Sequence, residues 1–381
     1  MKIKRISAEI INNSLGQKTV EVNVNKNFKG SAPLGLSRGS REVFPYPVEG
    51  VSVGVVNNTL HKCFKGFRVD GFKDLEIIEE TIFKLDESKE LTKIGGNVVI
   101  AFENALLKAA ASGGSVWKFL NPRADEMPIP VGECVGGGKH DEDGIEIQEF
   151  LTIPHGDSFK ENAYINHHIY SELQRQLHLS QRTRVGSWST TLDVLELLDV
   201  LKKHCDSVVE KFGISVDLGL DVAGSHICNG EYYFYKKGKL DRMSQIKYIN
   251  LLISKYHLEY VEDPLNERDA DGYKWIKGEM ICGDDLVGGS LERLKEVAGK
   301  INTVVISPSH VGSLLKTKEL IDFAKKENIV PVLSHRAGET MDTTLADLAV
   351  AWGVPYIKCG VFGKERLAKI NRLREIEKEI I

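Results

Sequence analysis

Three short apolar segments of this chain each end in carboxylate, and they set the chemistry the rest must serve. They are Leu218-Gly219-Leu220-Asp221, Leu258-Glu259-Tyr260-Val261-Glu262-Asp263-Pro264 and Met280-Ile281-Cys282-Gly283-Asp284-Asp285. Short apolar runs bounded by Gly or Pro are expected as buried parallel strands, and the intervals between them hold one helix each. Asp221, Glu262 and Asp284 would then stand at the carboxyl ends of successive strands, where barrel enzymes keep their chemistry. Carboxylates brought together repel one another, and burial sharpens the conflict. A hard divalent cation resolves it, and Mg²⁺ suits an all-oxygen ligand set. Taken singly, each acid is equally well a cap on the following helix. In series, at spacings near one strand–helix unit, they predict a metal site.

The elements that would position these acids follow from periodicity. Residues 3–11 and 19–24 alternate apolar with polar and predict two strands. A loop at 29–41 carries three glycines and two arginines, a flexible cationic segment suited to closing over an anion, or to joining two strands. Helical spacing over 72–85 and 97–111 completes a strand–strand–helix–helix domain. Residues 122–130 hold three prolines and predict a linker, placing an α+β capping domain at 1–125 and a barrel domain at 126–381. The second part opens on Gly136-Gly137-Gly138, where backbone must pass close to something. A strand follows over 145–154, with Gln148 and Glu149 expected near its end. Helices are predicted over 159–178, 192–212, 314–327, 341–352 and 364–379. Strands ending in Ser307, Arg336 and Lys358 lie among them. Repeated strand–helix units spell an α/β fold of the (β/α)₈ type.

Composition narrows the class. At 381 residues the length suits a barrel plus a smaller domain, and a net charge of −4 calls for neither nucleic acid nor an anionic membrane. No apolar run approaches the ~20 residues of a membrane span, and the basic start is not followed by the apolar core of a signal peptide. The cysteines, 63, 134, 205, 228, 282 and 359, form no Cys-x-x-Cys pair, which fits a reducing cytoplasm. His167-His168 is expected as a surface pair, the glycine triplet is not a P-loop, and Lys364 to Lys378 is expected as a solvated helix face.

Several motifs, in order, carry a resemblance: Gly137-Gly138-Lys139-His140, Gln148-Glu149-Phe150, Val261-Glu262-Asp263-Pro264, Gly283-Asp284-Asp285-Leu286, Ser334-His335-Arg336-Ala337-Gly338-Glu339-Thr340, Ile357-Lys358-Cys359-Gly360 and Glu365-Arg366-Leu367-Ala368-Lys369. Across nearly its whole length the chain resembles the enolase superfamily, a barrel with an α+β cap. The resemblance implies Asp221, Glu262 and Asp284 as Mg²⁺ ligands, with Ser37 on a second, substrate-linked Mg²⁺. It implies His140 and Glu149 as polar residues of the site, with Gln148 beside them. His335 and Arg336 would bind substrate and phosphate, and Lys358 the substrate carboxylate. It also implies an oligomer, a dimer or higher.

Two positions depart from that pattern. Ser307 stands where the family's basic lysine belongs, and Trp188 where its acidic glutamate belongs; Ala337 also replaces a serine. The expected function is therefore a Mg²⁺-dependent enzyme that abstracts a proton α to a carboxylate of a small, possibly phosphorylated acid, with altered proton-transfer groups. His310, three residues past Ser307, is a candidate base, as are His335 and Lys358. A phosphopyruvate hydratase with a rearranged site, and a non-catalytic homologue that binds metal and ligand, are the alternatives.

Overall fold

The alternating N-terminal residues do pair. In the computed structural model, which describes residues 1–36, 38–39, 41–46 and 49–380, β1 (Ile6–Asn12), β2 (Lys18–Val24) and β3 (Phe28–Ser31) form an antiparallel sheet in that order. Strand β3 lies in what the sequence predicts as loop. Helix α1 (Glu49–Gly54), a π-helical stretch (Val55–Leu60) and α2 (His61–Phe64) follow, an unforeseen helical run, and then α3 (Leu75–Asp86), α4 (Gly96–Ala110) and α5 (Val116–Leu120). Helix α4 is apolar nearly all round and buried nearly throughout, as such a helix must be. Its buried Glu103 accepts the Leu314 amide at 2.9 Å, and Glu79 of α3 accepts the Ser313 hydroxyl, so the cap is pinned to the barrel.

The barrel begins with β4 (Ile129–Gly136) and β5 (Glu149–Pro154), then α6 (Phe159–Leu177), the two-residue β6 (Trp188–Ser189) and α7 (Val194–Phe212). Strand β7 (Val216–Asp221) leads to α8 (Gly224–Ile227) and a small antiparallel sheet of β8 (Cys228–Asn229), β9 (Tyr232–Tyr235) and β10 (Gly238–Asp241). Then come α9 (Arg242–Tyr256), β11 (Leu258–Glu262), β12 (Met280–Gly283), α10 (Leu291–Val297), β13 (Thr303–Ile306), α11 (Pro308–Val311) and α12 (Leu314–Lys326). The chain closes with β14 (Val330–Ser334), α13 (Thr344–Ala351), β15 (Tyr356–Lys358) and α14 (Lys364–Ile380). The long helices end where their sequences dictate. Ser158 caps α6 by accepting the Glu161 amide, Asp193 and Glu196 form a capping box on α7, and Gly213 (φ 71°) terminates it.

Eight strands close in the order β4–β5–β7–β11–β12–β13–β14–β15, with β15 pairing back onto β4. Seven run one way; β5 alone is antiparallel to both neighbours. The expected uniform (β/α)₈ repeat therefore gives way at its start to two strands followed by two helices. The reason is local: the β4–β5 connection holds turns and one 3-10 turn but no α-helix to carry a crossover.

Inside the barrel, Val131, Leu151, Tyr260, Cys282, Val305 and Val332 form a buried plug, each such side chain contributing about 1.5–3 kcal/mol. Side chains alternate along a strand, so the next inward position toward the mouth lies two residues on. Those positions are Glu133, Glu149 (β5 being reversed), Glu262, Asp284, Ser307 and Ser334. One polar ring sits directly above one apolar layer.

Candidate active site

Ten of the expected residues border one cavity at the barrel mouth, about 700 Å³ including its open side. Asp221, Glu262 and Asp284 line it from the ends of β7, β11 and the loop after β12. Gln148 and Glu149 enter from the start of β5, His140 from the turn after β4, and Lys358 from β15. His335 and Arg336 follow β14, and His310 lies in α11. The eleventh, Ser37, lies outside the described residues.

Lys358 is the charge centre. Its ammonium lies 2.8 Å from Glu149 Oε2 and donates to Glu262 at 2.8 and 3.1 Å, in a site where all three are buried. Burial by itself would lower its pKa; Glu149, Glu262 and Asp221 outweigh that and hold it well above the ordinary lysine value. It is a fixed positive charge, suited to stabilising an anion and poorly suited to accepting a proton. Glu262 also accepts the Tyr260 hydroxyl, which ties it to the plug. Asp221 accepts the Gln148 amide at 3.0 Å and the Ala223 backbone N–H at 2.9 Å.

Asp284 is placed by Asp263, which follows β11, the strand paired with β12. The Asp263 carboxylate, buried at a backbone φ of 40°, accepts the amides of Asp284 at 3.2 Å and Asp285 at 2.6 Å, and the Tyr273 hydroxyl at 3.1 Å. Asp284 Oδ1 faces His310 Nδ1 at 3.5 Å, too far for a hydrogen bond, and neither buried atom has a hydrogen-bond partner among the described residues. Burial, and then Glu262, push Asp221 and Asp284 well above the usual carboxylate range. Oxygen donors that repel one another suit a hard divalent cation, so these three match Mg²⁺ in chemistry, whereas among the described residues the group whose possible ligand atoms lie within 4.8 Å of one another is Glu133, His140 and Glu149.

His310 is buried and directed into the cavity, with Nε2 3.4 Å from Glu42 Oε1, because Gly312 (φ 69°) ends α11 after four residues and turns the chain. His335 is held well below the ordinary histidine value by burial, then by Arg366, Lys358 and Lys369, and its Nδ1 has no partner among the described residues. It is a neutral imidazole waiting for a polar ligand. His167 is exposed and stacks on Tyr170, as a surface pair should.

The cap contributes a residue that motif reading missed. Glu42 accepts from the Arg336 guanidinium at 2.9 Å and from the Gly39 amide at 3.0 Å, and it is buried. The two loop arginines turn elsewhere: Arg38 to Glu90 at 3.7 Å and Arg41 to Glu267 at 3.8 Å. Leu34 and Gly338 exchange both backbone hydrogen bonds, at 2.9 and 2.8 Å, so the loop is laced to the barrel rim. Glu133, Asp263 and His226 were also missed as site residues. An inward acid two residues above Val131 was the available signal for Glu133.

Ser307 and Trp188 lie off the cavity, whereas Ala337 borders it. Ser307 is buried, its hydroxyl 3.2 Å from that of Ser309, and both border a separate cavity between cap and barrel. Trp188 donates Nε1–H to the Tyr170 carbonyl at 2.8 Å, stacks on Tyr170 at 4.9 Å and lies under the Arg182 guanidinium at 4.3 Å. It is a packing residue. The last helix is not simply solvated either: buried Arg366 donates to the Ala337 carbonyl at 2.7 Å, and buried Lys369 pairs with Glu339 at 2.5 Å. Both hold the loop that carries His335 and Arg336.

Comparison with known proteins follows the same outline. Residues 3–120 match the model of the enolase N-terminal domain, and residues 124–381 that of the enolase C-terminal TIM barrel domain. The enolase of Archaeoglobus fulgidus is 34% identical over 99% of this chain and 97% of its own length. That of Picrophilus torridus is 33% identical over 100% and 99%, and that of Methanothermobacter thermautotrophicus 33% over 99% and 97%. No helix among the described residues is long and apolar enough to cross a membrane.

Proposed function

The chain belongs to the enolase family, and from that premise we propose that it is a Mg²⁺-dependent lyase that removes the proton α to the carboxylate of a phosphorylated hydroxy acid and expels water. Likeness to enolases over the full length supports 2-phosphoglycerate as substrate and phosphoenolpyruvate as product, ahead of the reading in which another acid is used. The observation that carries the chemistry is Lys358, a buried ammonium among carboxylates at the barrel mouth.

Asp221, Glu262 and Asp284 would hold Mg²⁺, which when bound supplies positive charge to a substrate carboxylate and so acidifies its α-carbon. Lys358 adds its own charge to the same developing anion. Arg336, whose guanidinium already forks onto a carboxylate in Glu42, offers that fork to a phosphate. His335, neutral and without a partner at Nδ1 among the described residues, hydrogen-bonds the bound acid. His310, in the cavity between Asp284 and Glu42, is the best-placed base by position. Burial pushes Glu149 up and Lys358 opposes it, and the carboxylate stays paired with that ammonium, holding it over the site. The free cysteines suit a reducing compartment such as the cytoplasm, and the family resemblance supports a homo-oligomer.

A second reading keeps the enolisation but changes the substrate, and Ser307 and Trp188 favour it. Neither position carries a lysine or a glutamate, and neither side chain borders the cavity. Exchange of the α-proton of 2-phosphoglycerate into D₂O with Mg²⁺, followed by NMR, separates the two. Exchange supports the first reading; its absence, with exchange on another carboxylate, supports the second.

A further inference from the structure

One buried acid of the polar ring has no part in the reading above. Glu133, on β4, is 5% exposed and accepts two hydrogen bonds at Oε1: from the Ser187 hydroxyl at 2.6 Å and from His140 Nδ1 at 3.1 Å. Ser187 is in turn 2.7 Å from the Thr183 hydroxyl, in a turn closed by the Thr183 amide on the Ser187 carbonyl. Space for this chain is reserved by Gly136, where a Cβ would meet Ser187 Oγ at 2.4 Å and Glu133 Oε1 at 2.8 Å. His140 lines the main cavity, and with Nδ1 committed to Glu133 it has Nε2 left for a ligand there. Ser187 precedes Trp188, so the segment that brings no carboxylate to the cavity instead orients a histidine.

We propose that Glu133 is a positioning residue that fixes His140 through Nδ1, making His140 the group that protonates the departing hydroxyl; this rests on the dehydration reading above. In the step, the electron pair left on the α-carbon when its proton goes to the base forms the C=C bond. The C–O bond breaks, its pair stays on oxygen, and oxygen takes the Nε2 proton of His140 to leave as water. His140 is then a neutral imidazole with its Nδ1–H still on Glu133, and solvent reprotonates it. A carboxylate that orients a histidine and stabilises its imidazolium is a recurrent arrangement in acid–base catalysis.

The charge balance agrees. Burial opposes the imidazolium, but Glu133 outweighs it and raises the pKa of His140. Burial likewise opposes the Glu133 carboxylate, and His140 and Ser187 outweigh that. The groups that face the pair are Glu149 from β5, at 4.0 Å from His140 Nδ1, with Lys358 from β15, His335 after β14 and Arg366 from α14 acting on it.

The test is kinetics with 2-phosphoglycerate across pH for Glu133→Gln and Ser187→Ala, beside ¹⁵N-histidine NMR in which a His140→Gln variant assigns the resonance. Expected for Glu133→Gln is a kcat about 10²-fold lower with KM within a few-fold, an alkaline limb moved to lower pH, and an imidazolium signal lost at lower pH. Ser187→Ala, which keeps the acid but removes a donor that competes with His140 for it, should move the limb to higher pH by less. Wild-type turnover with both limbs unmoved in the variants overturns the proposal and leaves the dehydration reading standing. Loss of folding stability without a moved limb makes Glu133 purely structural and also overturns it. A wild type that neither turns over nor exchanges the α-proton removes the dehydration reading, and the proton-donor role with it.

Discussion

Replacing Lys358 with Met tests whether the site's charge balance is as drawn. The ammonium is buried and compensates Glu149 and Glu262, each within 2.8 Å. Removing it leaves two buried carboxylates without a counter-charge, which costs about 3–5 kcal/mol. At ~2.1 cal/mol/K per residue, 381 residues carry an unfolding entropy of about 0.8 kcal/mol/K. The loss therefore lowers Tm by about 4–6 °C if the chain unfolds in one transition. Thermal unfolding followed by circular dichroism in EDTA reads this directly. Adding Glu262→Gln to Lys358→Met should restore part of the loss, because one uncompensated charge goes. In millimolar Mg²⁺ the deficit should narrow, since a divalent cation beside Glu262 supplies the missing charge. An unchanged Tm in EDTA, or a double variant less stable than the single one, refutes the assignment.

Other consequences follow from the same geometry. Arg336→Lys keeps the charge and loses the fork, so a phosphorylated carboxylate should bind about 10–100-fold more weakly by calorimetry, with its unphosphorylated analogue barely affected. Trp188→Phe should cost about 1–2.5 kcal/mol, from the lost Tyr170 hydrogen bond and weakened Arg182 contact; kcat should stay within a few-fold, and a large kcat loss would place Trp188 in the chemistry after all. Gly137→Ala puts a Cβ 2.0 Å from the Ile145 carbonyl; urea melts should show about 1–3 kcal/mol of destabilisation. His155 has its pKa raised, chiefly by its hydrogen bond to Asp217 at 2.7 Å. That stability is present below the unfolded value of about 6.5 and is lost as pH rises through the folded one. For a pair about a third exposed it stays under about 1 kcal/mol. The urea midpoint should therefore fall slightly between pH 6 and 8 in the wild type and not in His155→Gln.

The acids of the site were legible because each closes an apolar run, and such runs become inward strands whose last residues reach the mouth. Asp221 and Glu262 end their strands, Asp284 follows directly on β12, and Lys358 ends β15 in the same way. Strand direction was not legible: Glu149 ends or begins a strand equally well in sequence, and β5 runs backwards after a connection that forms no α-helix. Glu133 was hidden by its glycine-rich neighbours, which read as a loop until β4 pairs on both sides. His310 sits in a four-residue helix, below the length at which periodicity speaks, so its burial had no signal. Glu42 acts across 294 positions of sequence on Arg336, a contact set by how the cap docks. Arg366 and Lys369 looked like solvated charge because helix pattern alone does not foretell a polar loop waiting beneath them.

The central claim is enolisation of a phosphorylated hydroxy acid at the Lys358 site, and its most direct test is Mg²⁺-dependent formation of phosphoenolpyruvate from 2-phosphoglycerate. Purified protein is followed by ultraviolet absorbance, with Asp284→Asn and EDTA as controls. Turnover that vanishes in both controls is the predicted result. No turnover, with 2-phosphoglycerate still binding in a Mg²⁺-dependent way by calorimetry, would contradict it.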